Sequence, residues 1–235
     1  MTTLDGRVIA IAGAGGNLGP AVVARLAADG ARLALGGRRR EPLEELAAGK
    51  GEIDTAAVDL LDAIATREWA DGIASHWGNV DGLVHLVGGW EGGIAIEEAP
   101  LEDWDTLEQL LVRTLQHATQ AFAGRLIESG RGRFVLVSAG HAQAPTHRNA
   151  AYATAKAAAE AWTLALADRF RGTGATANII VVGGAILTPA MRADAPDKDF
   201  STFTPDEAIA GAISYLCSDD AAPMNGKRLD LRGAA

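Results

Sequence analysis

The feature that most constrains this chain is an alternation along its length. Short apolar runs are each followed by a segment whose apolar residues recur every three or four positions. Runs of that kind suit strands buried on both faces, and a helix between consecutive runs lets neighbouring strands lie parallel. Strands are predicted at 8–12, 32–35, 53–58, 82–87, 133–138, 177–182 and 228–231, and helices at 18–29, 41–48, 62–76, 101–129, 150–171 and 205–218. In the longest helix Trp104, Leu107, Leu111, Leu115, Ala118, Phe122 and Leu126 step down one face, and Glu102 and Asp103 suit its N-terminus. The expected fold class is α/β: a single doubly wound domain over 1–235, with about seven parallel strands and helices on both faces.

Composition narrows the function. At 235 residues a core of ordinary size forms without disulfides or a structural metal. The lone Cys217 has no intramolecular partner, and the opening MTTLDGRVIAIAG lacks a signal-type apolar core, so a cytoplasmic location is expected. The longest apolar stretch, 179–187, contains Gly183 and Gly184 and falls far short of the roughly 20 residues that cross a bilayer. With 21 Lys and Arg against 30 Asp and Glu the net charge is -9, which offers no global field for nucleic acid. The expected partner is a small molecule, neither nucleic acid nor membrane, and no metal-ligand spacing is present.

Between the first strand and the first helix stands Ala12-Gly13-Ala14-Gly15-Gly16-Asn17-Leu18-Gly19. Residues without Cβ let backbone amides approach a pyrophosphate, and the helix N-terminus adds a favourable dipole. That context predicts dinucleotide binding by Gly13, Gly16, Asn17, Leu18 and Gly19; the alternative is a purely structural turn. After the second strand comes Gly36-Gly37-Arg38-Arg39-Arg40, with no acid before Glu41. A carboxylate there would accept from an adenosine 2′-hydroxyl, whereas a cation pairs with a 2′-phosphate, so NADP(H) is favoured, with Arg38 at the phosphate and NAD(H) as the alternative. Asp59 and Leu60, ending the third strand, are placed beside the adenine, although Asp59 also suits a capping or turn role.

In Ala151-Tyr152-Ala153-Thr154-Ala155-Lys156 the two long polar side chains are four apart on one helix face. A Tyr with its usual pKa near 10 is a poor acid or base at neutral pH, and an adjacent ammonium favours the phenolate; lowering the pKa by about three units corresponds to roughly 4 kcal/mol. Tyr152 and Lys156 are the catalytic candidates. Taken alone, the pair also fits an ordinary amphipathic surface.

With these pieces in order, the chain resembles the short-chain dehydrogenase/reductase family over essentially its whole length: the glycine-rich turn, Asp59, the Tyr152/Lys156 pair and Thr188-Pro189 after the sixth strand. The resemblance implies a Rossmann-like seven-stranded sheet and a nicotinamide cofactor. It also implies Tyr152 as proton donor, Lys156 holding the nicotinamide ribose while lowering the Tyr pKa, and Thr188 at the carboxamide. Gly88 and Gly184 then fall in the cofactor site, a lid at about 188–205 carries Met191, Phe200 and Phe203, and a homodimer or homotetramer forms through the helices at 101–129 and 150–171. The chain also departs from the family. Asn17 replaces a usual glycine, His85-Leu86-Val87-Gly88 stands for Asn-Asn-Ala-Gly, Gly183-Gly184 for Pro-Gly, and Leu111 for the relay Asn. Thirteen residues before Tyr152, at the family's catalytic serine, stands Ala139; Ser138 is one residue early and on the other face of a continuing strand.

Val87-Gly88-Gly89-Trp90-Glu91-Gly92-Gly93, Thr188-Pro189-Ala190-Met191, Asp199-Phe200-Ser201 and Thr204-Pro205 resemble the dihydropteridine reductases, which lack the serine and keep Tyr and Lys. The animal-type members carry an acid where this chain has Arg38. Reducing a quinonoid dihydropterin puts charge on a conjugated C=N system rather than a localised alkoxide, so less oxyanion stabilisation is needed. Trp90 is expected against a flat heterocycle or over the core, and His141, Gln143 and Met191 border the substrate, while at least two of His85, His141 and His147 are read as ordinary loop or surface residues. The expected function is NADPH-dependent hydride transfer to a conjugated cyclic acceptor such as a quinonoid dihydropterin. The alternatives are a carbonyl reductase using Ser138 and a non-catalytic dinucleotide sensor.

Overall fold

The computed structural model describes residues 3–232. In chain order the elements are β1 (Val8–Ala12), α1 (Gly19–Ala28), β2 (Arg32–Gly37), α2 (Arg40–Ala47), β3 (Ile53–Ala57), α3 (Ala63–Trp77), β4 (Gly82–His85), α4 (Glu102–Leu107), α5 (Thr114–Glu128), β5 (Arg133–Ala139), α6 (Ala150–Arg169), β6 (Thr176–Val182), β7 (Ile186–Leu187), α7 (Pro189–Asp194), β8 (Thr204–Pro205), α8 (Asp206–Cys217) and β9 (Arg228–Asp230). Seven strands form one sheet in the order β3-β2-β1-β4-β5-β6-β9, every pairing parallel. This is the seven-stranded Rossmann-like sheet expected from the alternation, and β7 pairs with β8 in a small ribbon beside it.

Every residue of β1, β4, β5 and β6 is buried, the condition for a sheet covered on both sides. On one face Leu83, Phe134, Leu136 and Ile179 pack against Trp69 and Ile73 of α3, Leu115 and Phe122 of α5, and Leu166 of α6. On the other, Ile9, Ile11, Val135 and Val137 meet Val22, Val23 and Leu26 of α1 and Ile209 and Ile213 of α8. Each such aliphatic or aromatic side chain, fully buried, contributes about 1.5–3 kcal/mol. Among the described residues no helix is long and apolar enough to cross a membrane, and no cluster of His, Cys, Asp or Glu is placed to hold a metal ion.

Two local differences from the sequence reading bear on the site. The helix predicted over 101–129 is interrupted by a π-helical stretch, Glu108–Arg113, between α4 and α5, and on this wider turn Leu110 meets the loop after β4 while Leu111 packs against α6. The fourth strand stops at His85 rather than 87, so Leu86, Val87 and Gly88 leave the sheet as a loop. The two-residue strands β7 and β8 were not predicted; they are too short to leave a period in sequence.

The order places β1 next to β4, so the connections leaving these two strands run to opposite sides and open a crevice at their C-terminal ends. There the chain turns at Gly13, whose positive φ of 82° suits a residue without Cβ. Gly19 begins α1 so close to the turn that a Cβ would lie 1.7 Å from the Ala14 carbonyl oxygen. Gly19→Ala is therefore expected to lower the urea-unfolding free energy by about 1–3 kcal/mol. Gly15→Ala, whose added Cβ meets nothing closer than 3.8 Å, should change it by less than about 0.5 kcal/mol. Equal midpoints for the two variants would contradict this packing.

Candidate active site

Two cavities meet at the crevice. One, of about 530 Å³, is lined by Gly13, Gly15 and Gly16 from the turn, Arg38 and Arg39 after β2, and Asp59 and Leu60 after β3. The other, of about 780 Å³, is lined by Asn17, Leu18, Trp90, His141, Tyr152, Lys156, Gly184 and Met191. They share Gly13, Gly16, Leu86, Val87 and Gly88, so together they form one groove across the C-terminal edge of the sheet. A long groove floored by glycine backbone, with cations at one end and titratable side chains at the other, fits a dinucleotide. Gly19 and Thr188 lie outside both linings. Gly19 acts through close packing, and the Thr188 hydroxyl accepts the Met191 backbone N–H at 3.2 Å as the cap of α7.

At the cationic end Arg38 and Arg39 are exposed and make no ion pair among the described residues, while Arg40 faces Glu44 across one helical turn. The Asp59 carboxylate accepts from the Leu61 N–H at 3.0 Å, and Asp62, not Asp59, caps α3 by accepting from Ile64 and Ala65. His117 Nδ1 lies 3.0 Å from the Leu60 carbonyl oxygen, a tie from α5 to the loop that sequence reasoning did not find.

At the other end α6 presents Tyr152 and Lys156 on one face. The Lys156 Nζ lies 5.8 Å from the centre of the Tyr152 ring and donates to the Val137 carbonyl at 3.1 Å. Burial pushes the Tyr152 hydroxyl up to about 12 and the Lys156 ammonium down to about 8, the latter opposed by the Glu160 carboxylate. In the protein alone, removal of the phenol from water sets the direction for Tyr152. Trp90 packs edge-on against Tyr152 with ring centres 4.7 Å apart, and His141 stands 5.7 Å from Trp90 and 5.9 Å from Tyr152.

Ser138 borders the larger cavity, but its hydroxyl is engaged on the far side of the strand. It donates to Glu160 at 2.6 Å, as the Gln143 side-chain amide also does, while Arg228 donates to the second Glu160 oxygen at 2.6 Å. Ser138 thus points to the α6 side of the sheet, and Gln143 is bound away from the cavity. Residues 7–199 match the short chain dehydrogenase family.

The chain belongs to that family. It is 31% identical over 242 residues to the D-threitol dehydrogenase of Mycolicibacterium smegmatis, covering 98% of this chain and 93% of the relative. It is 29% identical over 248 residues to the 2,5-dichloro-2,5-cyclohexadiene-1,4-diol dehydrogenase of Sphingobium indicum, covering 98% and 96%. Its fold matches a short-chain type dehydrogenase/reductase from Mycobacterium ulcerans with a TM-score of 0.88 at 24% identity, over 98% of this chain and 90% of that one. As a short-chain dehydrogenase the protein is an oxidoreductase.

Set against this family, two departures are structural facts with consequences. Ala139 ends β5 opposite Val182 and offers no hydroxyl. His85, one of three histidines of which at least two read from sequence as loop or surface residues, is buried at the end of β4, with Nε2 3.3 Å from the Thr114 hydroxyl and Nδ1 without a partner among the described residues. A histidine at a strand end carries no pattern that separates these readings. Burial and the nearby Lys156 push its pKa down to about 3, so it is neutral in the fold. Between about pH 3 and the ordinary value of 6.5 the unfolded chain binds this proton and the folded chain does not, so stability falls as pH falls through that window. Relative to His85→Asn, wild type should lose about 2 kcal/mol more between pH 6.5 and 5, read from urea unfolding at each pH. Parallel profiles would contradict a buried neutral imidazole.

Proposed function

We propose that the protein is an NADP(H)-dependent reductase of flat, conjugated cyclic acceptors, with Tyr152 as proton donor. The observation that carries this reading is the Trp90 ring, about half exposed and edge-on to Tyr152 within the cavity that also holds Lys156. It offers a face for a planar ring beside the one hydroxyl able to give up a proton. The relative named for a cyclohexadiene diol supports a cyclic substrate, and a quinonoid dihydropterin belongs to the same chemical class. The D-threitol dehydrogenase favours a second reading, interconversion of an open-chain alcohol and ketone.

When bound, the reduced nicotinamide supplies a hydride. The chain's own residues do the rest. The glycines at Gly13, Gly16 and Gly88 let backbone close on the dinucleotide, and Arg38 and Arg39 meet a 2′-phosphate, with Asp59 and Leu60 at the adenine. Asn17, Leu18, Gly184 and the α7 segment around Thr188 border the nicotinamide end, and Met191 closes over the substrate. Tyr152 delivers its proton to the acceptor's heteroatom as the hydride reaches the conjugated ring system, and the bound positive nicotinamide and Lys156 act against the burial that raises its pKa. Lys156 holds the ribose and restores charge balance beside Tyr152. Exposed Leu101 at the head of α4 supports a homodimer or homotetramer through α4, α5 and α6.

Replacing Arg38 with Ala should weaken NADPH at least tenfold in a fluorescence titration while leaving NADH within about twofold; equal losses would remove Arg38 from the 2′-phosphate. The function itself is tested by oxidation of NADPH in the presence of quinonoid dihydropterin, cyclic diketones and open-chain ketones. Rapid turnover of the cyclic acceptors, reduced by at least about 10³-fold in Tyr152→Phe with NADPH affinity unchanged, is expected. Turnover of open-chain ketones alone would establish the second reading.

A further inference from the structure

A reductase that has lost the hydroxyl at position 139 has one fewer group to hold the atom that receives the proton. Six residues with polar side-chain groups line the cavity around Tyr152: Asn17, Trp90, Ser138, His141, Tyr152 and Lys156. Asn17 sits on the glycine-rich turn, at the cofactor end. Ser138 donates its hydroxyl hydrogen bond to Glu160, Lys156 donates to the Val137 carbonyl and, on the reductase reading, holds the ribose, while Trp90 takes the flat face of the acceptor. Tyr152 and His141 remain, their rings packed edge to face, and no side chain or backbone group among the described residues bonds either the phenol hydroxyl or the imidazole nitrogens.

The position of His141 is fixed by the fold. It lies in a single 3₁₀ turn, Gly140–Ala142, directly after β5, closed by the Gln143 and Ala144 amides donating to the Gly140 carbonyl at 3.1 and 3.0 Å. The turn is tied to α6 by the Gln143 side chain on Glu160, and Glu160 is itself held by Ser138 and Arg228. Trp90 packs on the imidazole from the other side. A ring held by its own turn, a buried carboxylate and an indole is preorganised to bond a ligand, and its N–H costs no reorganisation at the moment of reaction.

Building on the reductase reading, we propose that His141 is a catalytic residue: its imidazole N–H bonds the acceptor's oxygen or nitrogen together with the Tyr152 hydroxyl, taking the place of the hydroxyl missing at Ala139. No bond to His141 forms or breaks. The hydride adds to one end of the conjugated C=O or C=N system (a carbonyl carbon in a quinone, a ring nitrogen in a quinonoid dihydropterin), the π pairs shift to the heteroatom at the other end, that atom takes the Tyr152 proton, and solvent restores the proton to Tyr152. The His141 hydrogen bond strengthens as negative charge builds on the heteroatom, so its removal acts on kcat more than on binding.

Two substitutions separate hydrogen bonding from ring packing. His141→Phe keeps the contacts with Trp90 and Tyr152 and loses the donor; His141→Gln loses the ring and keeps an N–H. With quinonoid dihydropterin and 9,10-phenanthrenequinone as probes, kcat should fall about 100-fold in His141→Phe and less than tenfold in His141→Gln, with NADPH Kd within twofold of wild type in both. Unchanged kcat in His141→Phe, or equal losses in the two variants, overturns the role of His141 and leaves the reductase reading standing. Wild-type protein that binds NADPH and reduces neither probe overturns both.

Discussion

A parallel sheet buried on both faces cannot use its faces for chemistry, and this constraint organises the rest of the molecule. Strand C-terminal ends are the remaining place where backbone and side chains from several elements converge without a helix over them. The neighbouring of β1 and β4 opens that edge, and every group discussed here hangs from it: the turn after β1, the arginines after β2, Asp59 after β3, the loop carrying Trp90 after β4, and His141 after β5. Tyr152 and Lys156 come instead from α6, whose N-terminal turns reach the same edge, and Met191 from the short α7.

Polar groups at such an edge are costly unless paired, and the pairing chosen here explains which of them are free to react. Glu160, almost fully buried on α6, accepts from Ser138, Gln143 and Arg228, joining β5, the turn after it, α6 and β9 in one charge-assisted network. Its position one turn from Lys156 partly offsets the burial that drives the ammonium toward neutrality. The network removes Ser138 and Gln143 from the reactive space and leaves Tyr152 and His141 in it. Removing a single member of a buried network of this kind exposes the others to an unmet charge, which makes it a rigid frame.

The frame of the fold was legible because it rests on periodicity and on glycine. Runs such as Val8–Ala12 and Thr176–Val182 admit no solvent-facing side, and the glycine-rich turn announces where the backbone must be approached closely. Tyr152 and Lys156 were legible from spacing alone. What stayed hidden depends on tertiary partners. A single Glu in an alanine-rich helix gives no sign that three donors will converge on it, His85 reads like any loop histidine until β4 is seen to end there, and the π-helical stretch leaves the apolar period of α4 and α5 nearly intact. The sequence likewise shows the ammonium four residues from Tyr152 but not the depth of the phenol, whose burial raises its pKa in the protein alone.

The central claim is that one groove carries a phosphorylated dinucleotide from the arginines after β2 to Tyr152 and Trp90. A crystal structure of the NADP⁺ complex tests it most directly. The expected result is a 2′-phosphate within hydrogen-bond reach of Arg38 or Arg39, pyrophosphate over the Gly13 to Gly16 backbone, and the nicotinamide ring opening onto the space bounded by Tyr152, Trp90 and His141. A 2′-phosphate turned to solvent away from both arginines, or a nicotinamide outside the Tyr152 cavity, would contradict the account.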